Sequence, residues 1–366
     1  MSRRSSVSAS WLGSPPPEVA VEITATRVLA VALAAQGGSH TIAGYAADPL
    51  APGLATPALN APNIHDERGL ASALEGVLQK IGSRTRRIAL VLPDSVAKVS
   101  LIRFDKVPAK QQDLEQLIRW QMRKAAPFRI EDAQVSWQDA SSLPGGGREF
   151  LVTVARRDVI QGYERVCDAA GVHAGLVDIA SFNQVNAVLA DRALTGDWLL
   201  VNIAADYATL AVVRDDHVIF FRNRSTGGIG DLPDLVHQTT MYHEDRLGGG
   251  GFRKVVIAGA SVLGADEAER FRRMIEERIG MIVEPIDFRP AAELRDRITA
   301  SAELLDMLAP SVGVLLRDRV ARRSAPARTV PGQVAYCCAP TFRRALFTTS
   351  APCTSCWRWP WWSCCC

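Results

Sequence analysis

Apolar residues first alternate with small or polar ones, and then the period lengthens. Between Glu18 and Ala35 (EVAVEITATRVLAVALAA), Val19, Val21 and Ile23 mark one face of a strand, Thr24-Ala25-Thr26 turns, and Val28 to Leu33 return, which predicts a β-hairpin. A strand around Thr41 to Tyr45 follows, then a loop rich in Pro and Gly. From Asp66 to Ile81 the apolar positions Leu70, Ala73, Leu74, Val77, Leu78 and Ile81 recur at three- and four-residue spacing, so a helix buries that face. Ile88 to Leu92 is an unbroken apolar run closed by Pro93-Asp94, the pattern of a strand buried on both sides and ended by a turn. Val96, Val99, Leu101, Ile102 and Phe104 predict a second strand with one wet face. A helix over Lys110 to Ala126 carries a stripe of Leu114, Leu117, Ile118, Met122 and Ala125, and Pro127 stops it. Gly145-Gly146-Gly147 is read as a flexible hairpin tip between strands near 133–138 and 150–155.

The second half repeats this logic. Leu199 to Ile203, Thr209 to Arg214 and His217 to Arg222 predict three strands, with Ala204-Ala205-Asp206 and Asp215-Asp216 as turns. A helix over Leu232 to Leu247 leads through Gly248 to Gly251 into the buried strand Lys254 to Gly259. An amphipathic helix (Glu267 to Ile279), a strand (Met281 to Pro285) and a last helix (Ser301 to Arg317) complete the pattern by about Val320.

At 366 residues, 48% hydrophobic, 22% charged and with net charge +3, the chain has the composition of a soluble α/β protein long enough for two cores. That balance carries no nucleic-acid signature. No apolar run approaches the roughly 18 residues of a membrane span. The opening MSRRSSVSAS runs into Trp11-Leu12-Gly13-Ser14 and three prolines without an apolar core, so residues 1–17 are read as a flexible leader. Cys167 is alone in the body, consistent with a cytosolic chain, and reads as a small core residue.

The remaining seven cysteines, at 337, 338, 353, 356, 364, 365 and 366, crowd into a tail that ends CTSCWRWPWWSCCC. Cys353-x-x-Cys356 has neither a His nor a second pair at ligand spacing, which argues against zinc. Every Cys and Trp codon begins with TG, so one base earlier each becomes NTG and encodes Leu, Val or Met. The tail after about 320 is therefore read as an out-of-frame translation of an apolar, membrane-anchor-like segment, and resequencing the DNA across 320–333 tests it.

LVLPD, then a strand, then LxxLIRWQMRKAAPF, followed by FLVTVARRDVIQGYERVCDAAGVHAGLVD at Phe150 to Asp178, resembles the pilus-assembly protein M (PilM) family of actin-like proteins over residues 18 to 320. The resemblance implies an actin-like (ribonuclease H-like) α/β fold: a first domain over 18–195 with an inserted FtsA/SHS2-type subdomain at about 95–155, and a second domain over 196–320. In that fold the hairpin turns cradle nucleotide phosphates, with an Asp followed two residues on by a Gly. Here Glu22 and Thr24 stand at those places in the first hairpin, with Thr26 beside them, and Asn202 and Ala204 in the second. Ala205, Gly228, Gly259 and Ala260 complete the candidate nucleotide-contact set, the family's double Gly being reduced to Gly259.

An Asn at 202 carries no charge for Mg²⁺, and phosphoryl transfer needs such charge. The expectation is therefore no ATP turnover, with ATP/Mg²⁺ binding left open and no other cofactor. What the resemblance implies instead is a cytoplasmic scaffold, peripheral to the inner membrane, of the type IV pilus assembly complex. It would hold the cytoplasmic tail of a PilN-like single-span protein, with Leu92, Pro93, Lys124 and Phe128 as candidate contacts; self-association is left open. Arg119, Arg123, Lys124 and Arg129 form a basic cluster, read first as a solvated helix face. The competing readings are an FtsA-like or sugar-kinase-like ATP hydrolase and the cytoplasmic domain of a type II secretion L-type protein. No phosphate-binding P-loop, zincin or hydrolase elbow motif is present, and the six histidines have no ligand spacing.

Overall fold

The alternating first stretch folds as read. β1 (Val19–Ile23), β2 (Arg27–Gln36) and β3 (Ser39–Pro49) form an antiparallel meander. The computed structural model describes residues 17–36, 39–142, 147–190, 194–225, 231–295 and 298–323. Helix α1 (Glu67–Lys80) begins at Asp66, whose carboxylate accepts from the Gly69 amide at 2.9 Å and satisfies one of the helix's free donors. Its buried face carries Leu70, Leu74, Val77 and Leu78. β4 (Arg87–Leu92) then runs parallel to β1 in the sheet interior, which is why its run is apolar without interruption.

Between β4 and the next strand of that sheet lies a small layer of its own. β5 (Ala97–Phe104), α2 (Gln111–Met122), β6 (Ala133–Ser142) and β7 (Arg148–Arg156) make a three-stranded antiparallel sheet, order β5-β7-β6, under one helix. Ile102, Leu114, Ile118, Met122, Phe150, Val152 and Val154 form its separate core. β6 and β7 pair out to Ser142 and Arg148, so their connection is a hairpin, though Gly145 and Gly146 lie outside the described residues. Helix α3 (Arg157–Ala169), with Cys167 buried, leads back to β8 (His173–Ile179), parallel to β4.

Helix α4 (Ala180–Leu189) has no counterpart in the hydrophobic pattern. Nearly all its positions are buried, polar ones included, so it lacks the one-sided stripe that announces a helix. β9 (Asp197–Ile203), β10 (Tyr207–Arg214) and β11 (His217–Ser225) follow as a second meander, then α5 (Leu232–Leu247), β12 (Lys254–Ala258), α6 (Ala265–Ile279) and β13 (Val283–Pro285). Beyond it the chain returns to the first sheet. β14 (Glu293–Leu294) pairs with β3, and α7 (Ala302–Arg323) packs on β1, β2, β4 and α4. Residues 293–323, read as part of the second half, thus belong to the first body.

The two sheets run β14-β3-β2-β1-β4-β8 and β11-β10-β9-β12-β13. Apart from β14, each has the order third, second, first, fourth, fifth. In β9, Leu199, Val201 and Ile203 face the core under α5 and α6, while Trp198, Leu200 and Asn202 point the other way, toward the first body. There α4 and α7 share one apolar cluster with the inner faces of both sheets. A Cβ at Gly313 would stand 1.8 Å from the Asn183 carbonyl oxygen, so only glycine permits this approach of α7 to α4.

Candidate functional site

The repeat of the two meanders puts their first turns face to face across a cleft, which α4 and α7 close from below. Glu22, Thr24, Thr26, Asn202, Ala205 and Gly259 all line it, so six of the eight candidate nucleotide contacts come together. Ala260 packs instead against the second body's core, and Gly228 lies outside the described residues. Ala180, Gln184, Asp306 and Pro310, from α4 and α7, line the same cleft and were not anticipated.

What these groups do is largely internal. In the first turn the Thr24 hydroxyl donates to the Arg27 carbonyl at 3.2 Å and accepts from the Thr26 and Arg27 amides at 3.3 and 3.1 Å, while the Thr24 amide donates to the Arg27 carbonyl at 3.0 Å. Three turn amides are thereby satisfied by the turn itself. Thr24 is a turn-capping residue and not a free donor facing the cleft. Glu22 is 4% exposed and holds the Arg27 guanidinium at 3.0 Å. In the second meander the Ala204 amide donates to the Tyr207 carbonyl at 2.8 Å, and burial pushes the Asp206 carboxyl up from its ordinary value.

Asn202 belongs to a buried network around an acid that sequence reading passed over as a turn residue. Asp94 follows β4 directly and is fully buried. Its carboxylate accepts from the Ser181 amide at 3.0 Å, from the Ser181 hydroxyl, from the Thr209 hydroxyl at 2.6 Å and from the Asn202 side-chain amide at 3.4 Å. Asn202 also donates to the Ser181 hydroxyl at 2.9 Å and accepts from Gln184 at 3.0 Å, and Asn223 donates to Thr209 at 2.9 Å. Desolvation raises the Asp94 pKa against the opposing pull of these bonds. The pairing of Thr209 with Asn202 in register across β9 and β10 makes the arrangement a product of strand geometry.

At the far side, Gly259 has φ +74° and a Cβ there would stand 1.8 Å from the Ile203 carbonyl, so glycine is required on both counts. Its amide and that of Ser261 both donate to the Asp306 carboxylate, at 2.5 and 2.8 Å. Burial raises the Asp306 pKa.

The four candidate partner contacts are not brought together. Leu92 is 1% exposed at the end of an interior strand, and Pro93 is buried against the cleft, so neither offers surface to a peptide; both expectations are corrected. Lys124 is exposed beyond α2, and Phe128 packs against the small layer's core. Most of the basic cluster is neutralised: Arg119 pairs with Glu115 at 2.9 Å, Arg123 with Glu131 at 2.9 Å and Arg129 with Asp132 at 3.8 Å. Among the described residues no helix is long and apolar enough to cross a membrane.

Two sheets of one repeated order, packed through a shared pair of helices with their first turns facing across a cleft, define the actin-like ATPase fold class. Within that class the chain belongs to the family of the type IV pilus assembly protein PilM, whose family model matches residues 20–246. A solved structure described as a PilM-PilN type IV pilus biogenesis complex is similar with a TM-score of 0.70 at 17% identity, over 85% of this chain and all of that one. The cytoplasmic domain of EpsL, an inner-membrane component of the type II secretion system of Vibrio cholerae, matches with a TM-score of 0.45 at 10% identity, over 84% of this chain and 95% of that one. EutJ, an ethanolamine utilization protein from Carboxydothermus hydrogenoformans, matches with a TM-score of 0.44 at 13% identity, over 83% and 90%.

Proposed function

We propose that the chain is a non-hydrolysing scaffold of the type IV pilus assembly machine, acting on the cytoplasmic face of the inner membrane. Its partner is the cytoplasmic tail of a PilN-like single-span protein. Family membership supports the assembly role, and the PilM-PilN description of the similar structure supports the partner. The peptide is placed at the junction of the first body and the inserted layer, with Lys124 and Phe128 on the inserted side.

The observation that carries the absence of hydrolysis is the commitment of the cleft's polar groups to one another. Phosphoryl transfer needs free donors for the phosphates and a carboxylate for the metal. Here the Thr26 and Arg27 amides close on the Thr24 hydroxyl and the Thr24 amide on the Arg27 carbonyl, Glu22 is tied to Arg27, Asn202 is neutral and bound in the Asp94 network, and Asp306 holds the Gly259 and Ser261 amides. Asp206 is the one exposed carboxylate among the residues lining the cleft, and with Asn202 neutral this set is a poor fit for Mg-ATP.

Calorimetric titration of the full chain tests both parts. Mg-ATP is expected to give no binding heat, while a peptide copying the cytoplasmic tail of the cognate membrane partner binds. Tight ATP binding with slow hydrolysis would overturn the first part, and absence of peptide binding the second.

A further inference from the structure

Two carboxylates of the first body reach donors of the second across the cleft. Asp94, after β4, takes the Thr209 hydroxyl on β10 at 2.6 Å and the Asn202 amide on β9 at 3.4 Å. Asp306, on α7, takes the Gly259 and Ser261 amides after β12 at 2.5 and 2.8 Å. Both acids are buried, with Asp94 at 0% and Asp306 at 8% exposure.

The geometry at 259–261 is that of an anion nest. Gly259 is left-handed, and a short 3-10 turn over Ala260–Leu263 follows it, so alternate amides converge on one point. Such a concavity binds an anion, and the anion present is a carboxylate of the same chain, one oxygen to each amide. α7 is not free to withdraw it, because Gly313, two turns further along, seats that helix against the Asn183 carbonyl of α4. A free anion must therefore compete with a group already held in place at high effective concentration.

We propose that Asp306 is an internal ligand: it fills the Gly259–Ser261 nest and, together with Asp94, holds the two bodies closed without nucleotide. An anion bound between two bodies closes them by bridging them, and here the bridge is built into the first body. The inference rests on the scaffold reading and deepens it, since a partner then meets one fixed arrangement of the bodies whatever the nucleotide supply.

Hydrogen exchange on the full chain tests this, with wild type, Asp306→Ser and Asp306→Asn measured with and without inorganic pyrophosphate. In wild type, exchange across 257–264 is expected to be slow and unaltered by pyrophosphate. The serine is too short to span both amides, so exchange there rises about tenfold or more, and pyrophosphate restores protection. Equal exchange in wild type and Asp306→Ser overturns the proposal, as does pyrophosphate protection of wild type equal to that of the variant. Should Asp306→Ser fail to fold, Asp306→Asn decides: its single acceptor oxygen leaves one amide unbonded, and no rise in exchange overturns the proposal. Peptide titration of the same samples separates the two readings. The scaffold reading fails on loss of peptide binding by wild type, the internal ligand on exchange alone.

Discussion

Asn202 and Asp94 explain each other. With 3.4 Å between the Asn202 nitrogen and an Asp94 oxygen, an Asp at 202 would place two carboxylates in contact inside the protein. Placing an acid there by Asn202→Asp is therefore expected to destabilise the fold by about 2–4 kcal/mol at neutral pH, and Asp94→Asn beside it removes most of that cost. The pH dependence has a definite sign. Burial already raises the Asp94 pKa, and a second carboxylate raises the pair's upper pKa further, so the folded state holds a proton that the unfolded chain has lost. Stability of Asn202→Asp is thus retained below the ordinary carboxylate range and falls as pH rises through the raised value. Urea unfolding of the two single variants and the double between pH 4 and 8 checks this; an Asn202→Asp penalty independent of both pH and residue 94 would refute it. In the Asp94→Asn single variant, the Asn202 and Gln184 amides can turn over together, because the Gln184 carbonyl oxygen has no partner.

Elements with one-sided periodicity were legible in the sequence. α1, α2, α5 and α6, the two meanders and the apolar β4 were read to within a few residues because each buries one face, or both, and shows it as a repeat. The misses share a cause. α4 carries Ser181, Asn183, Gln184 and Asn186 buried among apolar residues, so neither a stripe nor a wet face marks it. β14 pairs only two residues and has no pattern to find. Asp94 looked like part of the Pro-Asp turn that ends β4, and its burial arises only when α4 and β10 close over it. The candidate cleft was legible for residues on the repeated turns and invisible for those that α4 and α7 deliver. The α4–α7 crossing carries its own prediction. Gly313→Ala must push the helices apart or shift the Asn183 carbonyl, and should cost about 2–3 kcal/mol or more. Wild-type stability in urea unfolding of that variant would contradict the contact.

The molecule is two like bodies around a shared pair of helices, with a third small core hung from the first. That inserted layer has its own apolar cluster, so it can loosen without the rest. Ile118, fully buried there, supplies the measurement: Ile118→Ala should cost about 2–5 kcal/mol, with hydrogen exchange rising over residues 97–156 while α1 and β1 stay protected. A uniform rise through the whole chain would show one cooperative unit instead. The return of β14 and α7 to the first sheet has a consequence for biosynthesis. β1, β2 and β4 emerge early from the ribosome, yet the helix that covers their inner face is made only after the entire second body. The first body cannot finish folding vectorially. Its apolar face waits uncovered until the whole second body has been made, so its completion is a slow, long-range closure that ends only when Arg317 and its neighbours arrive.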